Sequence, residues 1–109
     1  MKRGDVFTAA TGSGFGGKPR PVVIVQADIY TGSPTILVAL LTDEMHGRED
    51  IRPIILPDAD NGLRKTSAVS ADVLVAVRQR EFGKRIGTLS AADMARVDVA
   101  LMLILGFVR

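Results

Sequence analysis

Arg20 stands between two prolines at the mouth of an apolar run, Pro19-Arg20-Pro21-Val22-Val23-Ile24-Val25. Pro21 keeps Arg20 out of the helical region, neither proline donates a backbone hydrogen bond, and the Val/Ile run predicts a buried strand. The guanidinium is thus presented on a stiff stalk at a strand entrance. Its planar fork of donors matches phosphate oxygens, and beside a loop holding Gly12, Gly14, Gly16 and Gly17 it points to a phosphate or RNA site. Taken alone, the segment also describes a surface arginine in a solvated turn.

Other apparent motifs dissolve on inspection. Gly12 to Gly17 satisfies G-x-G-x-x-G, and with Lys18 the start of a P-loop, but Pro19 and then a strand follow. A helix N-terminus would have to face the phosphates in the first case, and a Ser/Thr for Mg²⁺ is missing in the second. Asp58-Ala59-Asp60-Asn61-Gly62 hints at a calcium loop, yet the glycine falls one position early and Val69 stands where the bidentate Glu belongs, so a turn is expected. With no Cys and a lone His46, a Cys- or His-rich metal site is out of reach and no cofactor is implied. His46 reads as a solvated loop residue, since histidine-based RNA cleavage usually needs a second acid/base partner.

At 109 residues and 47% hydrophobic content, the chain fits one domain, 1–109, with one sizeable core. The net charge of +2 excludes a global field that would bind nucleic acid unspecifically, so any such site must be a local patch. Met1-Lys2-Arg3-Gly4-Asp5 is followed by no apolar signal region, and no apolar run reaches the about 20 residues of a membrane span. A cytoplasmic protein without membrane contact is expected.

Strands are expected at Asp5 to Ala10, Pro21 to Ala27 and Thr35 to Thr42, with a fourth over Ile51 to Leu56 that Pro53 demotes to an edge or bulge. Turn chemistry marks residues 28–34 and Asn61-Gly62. Ser67 to Arg78 reads as one or two further strands, and Gln79 to Arg85 as a basic connector. At the C-terminus the period changes. Ser90 and Asp93 resemble a capping box, Met94, Val97, Leu101 and Ile104 recur at helical spacing, and Gly106 is placed to cap the end. The fold class is mainly β with a C-terminal helix: a small twisted sheet, partly closed like an SH3-type barrel. Val99 to Leu105 is apolar all round, so one face is left needing cover, and a two-fold homodimer with this helix at or beside the interface is expected.

Arg3-Gly4-Asp5-Val6, the glycine-rich loop, Arg20-Pro21-Val22-Val23-Ile24-Val25, Leu40-Leu41-Thr42 at a strand end and Gly87-Thr88-Leu89-Ser90 together resemble the MazF/PemK family of toxin endoribonucleases. The resemblance runs over most of the chain, and the Arg-Pro strand is its most specific part. It implies a cytoplasmic homodimer that cleaves single-stranded RNA sequence-specifically and is neutralised by a cognate antitoxin. It further implies that Arg20 and Thr42 are the principal catalytic pair, with Asp72 where some members carry another active-site acid.

Chemistry fits that assignment. Metal-free RNA cleavage needs a deprotonated 2′-hydroxyl, stabilised phosphorane charge and a proton for the departing 5′ oxygen. Arg20 suits charge stabilisation, because an arginine so rarely gives up its proton; its acid/base role comes from the resemblance alone. Thr42 can donate to a phosphate oxygen. Asp72 is open to three readings: a base, a group orienting Arg20, or a strand-end residue that is solvated or paired with Arg64.

The chain departs from the family where a loop carboxylate is usual, reading Gly12-Ser13-Gly14-Phe15, and after the strand acid, reading Asp72-Val73-Leu74. The expected RNA-binding set is Ser13, Phe15, Lys18, Arg78, Arg80, Lys84 and Arg85. Phe15, Tyr30 and Phe82 fall in predicted loops where aromatics stack on unpaired bases, and Phe15 is favoured because its glycine neighbours give it little to pack on. Two rival readings stay open: a CcdB-like gyrase inhibitor, for which Phe107 supplies the C-terminal aromatic, and an inactive module that captures a partner.

Overall fold

The computed structural model describes residues 1–10, 17–45 and 47–108. Ser13, Phe15 and His46 lie outside them. Six strands form one antiparallel sheet in the order β4-β5-β3-β2-β1-β6, with β1 Asp5–Ala9, β2 Arg20–Ile24, β3 Thr35–Thr42, β4 Ile54–Ile55, β5 Ser67–Arg78 and β6 Phe82–Thr88. Helix α1, Ala91–Ile104, follows. The sheet curls into a half-barrel, mainly β as expected.

Alternation along the strands sorts the apolar side chains into two cores. Val6, Val23, Ala39, Leu41 and Val69 face α1, where Val97, Ala100 and Leu101 meet them. On the opposite face, Val22, Ile24, Ile36, Val38 and Val77 form a second cluster, with Phe7, Leu40, Val75 and Phe82 packed against it. β2 and β3 are therefore covered on both sides, which is why their sequences run apolar without interruption.

One expectation is narrowed and one needs correction. Ser67–Arg78 is one strand, interrupted in register rather than in continuity: Ala39 faces Leu74 but the next residue, Leu40, faces Ser70. Ala71, Asp72 and Val73 are the surplus, so Asp72 sits at a mid-strand bulge. Gln79 to Arg85 is not a connector. A 3-10 turn at Gln79–Glu81 leads straight into β6, whose Phe82 and Arg85 face Ala9 and Phe7 of β1. Phe82 is consequently no loop aromatic, since its ring meets Phe7 edge-on at 5.6 Å between centroids. Two glycines and a Lys-Arg pair hide this strand from an alternation test, and its pairing with β1 is itself bulged.

The Asn61-Gly62 turn closes against β6. Asn61 is buried and its amide donates to the Leu56 carbonyl at 2.9 Å, while Thr88 N–H donates to the Asp60 carbonyl at 2.9 Å. Gly62 is obligatory here. Its φ of +70° favours glycine, and a β-carbon would collide with the Ile86 carbonyl.

Helix α1 starts and stops as the residues foretell. Ser90 Oγ accepts from Asp93 N–H at 3.1 Å. At the far end Gly106 takes φ +82°, Phe107 N–H donates to the Met102 carbonyl and Gly106 N–H to that of Leu103, a Schellman closure. Among the described residues no helix is long and apolar enough to cross a membrane.

Candidate functional site

The β2–β3 pairing runs from Ile24 opposite Val38 to Val22 opposite Leu40, two residues short of Arg20 and Thr42. Val22 faces Leu40 across β2 and β3. Continued two residues outward, the same antiparallel register sets Arg20 opposite Thr42. Ala9 lies beside Arg20 on β1 and Ala68 beside Thr42 on β5, so one transverse row reads Phe82, Ala9, Arg20, Thr42, Ala68, Ile54. Strand alternation puts that row on the face opposite α1. Arg20 is exposed and Thr42 half-buried.

Small or apolar neighbours flank the pair, so the polar chemistry of this row is concentrated in those two side chains. Thr42 Oγ1 accepts from Glu44 N–H at 3.1 Å. A hydroxyl that spends a lone pair on the backbone still has its own hydrogen to give, so the bond orients Thr42 as a donor.

Asp72 is held from the neighbouring segment. Arg52 donates from Nε and Nη2 to its two carboxylate oxygens, both at 3.0 Å, filling the part the sequence allotted to Arg64. Close by, Arg48 makes a similar bidentate contact to Asp50. The Asp50 hydrogen bond holds the Arg48 guanidinium above its ordinary range, its charge adds to this, and Asp72 contributes a smaller pull.

The basic residues disperse. Lys18 is exposed just ahead of Arg20. Arg78 faces Thr35, at the other end of β3 from Thr42. Arg80 lies on the exposed 3-10 turn, which returns toward the Arg20 row because Ala10 N–H donates to the Glu81 carbonyl at 3.0 Å. Lys84 is exposed on β6, and Arg85 is partly engaged by Asp5 at 3.4 Å. Tyr30 is exposed on a 3-10 turn at Asp28–Tyr30.

The whole arrangement has close relatives. Residues 2–105 match the family described as PemK-like, MazF-like toxin of type II toxin–antitoxin systems. The chain belongs to that family. It is 35% identical over 106 residues to "Probable endoribonuclease MazF" of Mycolicibacterium smegmatis, covering 97% of both chains. With the endoribonuclease MazF of Staphylococcus epidermidis it shares 33% identity, covering 97% of this chain and 92% of the relative. A mycobacterial endoribonuclease solved in complex with its cognate antitoxin superposes with a TM-score of 0.85 at 22% identity, covering 100% of this chain and 98% of that one. This last likeness is one of fold.

Arg52 is the residue absent from the sequence-derived candidates. A signal for it existed: Arg52-Pro53-Ile54-Ile55 repeats the Arg20-Pro21-Val22-Val23 pattern, an arginine and proline ahead of a β-branched pair.

Proposed function

We propose that this PemK/MazF-family toxin is a sequence-specific endoribonuclease that cuts single-stranded mRNA in the cytoplasm without a metal, its 1–109 chain acting as one domain silenced by a cognate antitoxin. The β2–β3 register, which extended two residues aligns Arg20 with Thr42, carries the reading. In the reaction the 2′-hydroxyl gives its proton to solvent and its oxygen bonds to the adjacent phosphorus as the bond to the 5′-oxygen breaks in line. The departing oxygen takes a proton from solvent, leaving a 2′,3′-cyclic phosphate and a 5′-hydroxyl. Arg20 offers its fork to the non-bridging oxygens, where negative charge grows in the transition state. Thr42 donates its hydroxyl hydrogen to the same phosphate from a strand held on both sides.

The toxin works as a two-fold dimer. Val99, Ile104, Leu105 and Phe107 at the end of α1 are 50%, 40%, 55% and 77% exposed. With Leu37 and Leu74 the helix end borders a groove of about 450 Å³, and a second copy is the cover that the apolar residues call for. Light scattering at micromolar concentration should report a dimer; a soluble monomer would contradict the assembly. Exposure of Phe107 is also what a gyrase-inhibitor reading requires, but that reading leaves Arg20 and Thr42 without work and ranks second.

The deciding test incubates the purified protein with a long single-stranded RNA, with and without EDTA. Discrete cuts ending in 2′,3′-cyclic phosphate are expected in both. Activity abolished by EDTA and restored by Mg²⁺ would overturn the mechanism.

A further inference from the structure

The second Arg-Pro pair lies on the same face as the first. Val69 N–H donates to the Pro53 carbonyl and Ala71 N–H to the Ile51 carbonyl, both at 3.0 Å, which sets Arg52 beside Ser70. Ser70 faces Leu40, and Leu40 faces Val22. Arg52 thus stands one row inward of the row that holds Arg20 and Thr42. Three strand spacings separate it from β2, roughly 14 Å at about 4.8 Å each before curl is allowed for. That separation suits two phosphates of one strand better than a single shared phosphate.

The bulge at Ala71, Asp72 and Val73 is what provides the clamp, because surplus residues re-aim a side chain out of the regular ladder. The Arg52 and Asp72 side chains are 19% and 29% exposed, so the pair is sheltered enough to keep its geometry yet still borders solvent. Arg52 commits two of its five N–H donors to Asp72, and the remaining donors suit an anion. Asp72 presents both oxygens to Arg52 in charge-assisted bonds, which fixes the direction of the guanidinium.

We propose that Arg52 is a positioning residue that grips an RNA backbone phosphate flanking the cut, and that Asp72 serves by orienting Arg52 rather than by moving a proton. The inference rests on the RNA-cleaving reading above. It assigns the family's extra acid position a different task in this chain and adds a substrate contact that Arg20 and Thr42 do not provide.

The test compares the wild-type protein with Arg52→Ala, Arg52→Lys, Asp72→Asn and the Arg52→Ala/Asp72→Asn double variant. Each is assayed for kcat and KM on a short single-stranded RNA. Each is also assayed for Kd, by fluorescence anisotropy at several salt concentrations, on the same oligonucleotide made uncleavable by a 2′-deoxy sugar at the cut. Arg52→Ala should raise KM and Kd about tenfold, change kcat by less than about twofold, and lower the salt slope by about 0.7. Arg52→Lys, which keeps the charge and loses the fork, should fall between it and wild type. Asp72→Asn should weaken binding in the same direction, and the double variant should be no worse than Arg52→Ala. A hundredfold or larger fall in kcat for Asp72→Asn at unchanged Kd would make Asp72 a proton-transfer group and overturn the proposal, as would an unchanged Kd in both Arg52 variants. Should the wild type bind the uncleavable strand in this Arg52-dependent way but cut no RNA, the proposed reaction fails and the grip stands.

Discussion

Arg20 and Arg52 enter strands through the same two-residue device and are stiffened by different means. In both, the following proline disfavours helical backbone at the arginine. Arg20 leads into β2, an interior strand bonded to β1 on one side and β3 on the other. Arg52 leads into β4, only two residues long and at the sheet edge. The first arginine is placed by main-chain ladders and leaves its guanidinium exposed; the second has a weak ladder and is placed by the Asp72 carboxylate. One sequence pattern therefore yields a charge offered to substrate where the sheet supplies the rigidity, and a clamped charge where it does not.

The comparison breaks first at Arg20. Replacing it with Ala should cost a factor of about 10²–10³ in kcat, the usual range for removing a donor to developing charge. The melting temperature should hardly move, since the exposed side chain supports no core residue. Arg20→Lys should fail as well, because a point charge cannot reproduce the planar fork. A fully active Arg20→Lys protein would show that positive charge alone suffices there, and the contrast with Arg52 would lose its basis.

Thr42 should show a smaller effect. Thr42→Val keeps the β-branched shape that suits the strand but removes the donor, and a loss of about tenfold or more in kcat is expected. Thr42→Ser should retain most turnover, as the Glu44 N–H still has a hydroxyl to orient. If Val and Ser behave alike, the hydroxyl hydrogen does nothing and Thr42 is only a strand residue.

Much of this was legible from the sequence, for reasons that also explain the gaps. The Arg20 strand, β3 and the capped helix announced themselves because continuous apolar runs, a Ser/Asp cap and Gly106 are local signals whose meaning does not depend on neighbours. β6 was hidden: its glycines are required by close approach to the Asn61-Gly62 turn and to Thr8, a tertiary fact absent from local pattern. The juxtaposition of Arg20 with Thr42 was reachable only through the family resemblance, since cross-strand register is not written in either segment. Asp72 was found but its partner was not, because Arg52 is 20 residues away and meets it only through the bulge. The repeated Arg-Pro pattern was in plain view, and the two copies differ in the residue ahead of the arginine, Pro19 or Ile51, and in the length of the strand behind it.

Arg85 offers a third case, a cation half-committed to an acid, and the smallest expected effect. The Asp5 carboxylate is pushed up by burial, but the Lys2 backbone N–H and the Arg85 guanidinium, with help from Thr88, outweigh this and hold it below its ordinary value. A carboxyl lowered on folding favours the native state above its unfolded value of about 3.9, and that contribution drains away as pH falls through the native value. Arg85 is 53% exposed at its side chain, so solvent screens the pair and Arg85→Ala should cost no more than about 1 kcal/mol at pH 7. Thermal melts of wild type and Arg85→Ala should therefore differ slightly at neutral pH and converge below about pH 4, once Asp5 begins to bind a proton. A gap that stays constant into strong acid would mean that Arg85 stabilises the fold through the packing of its stem along β6 and not through Asp5.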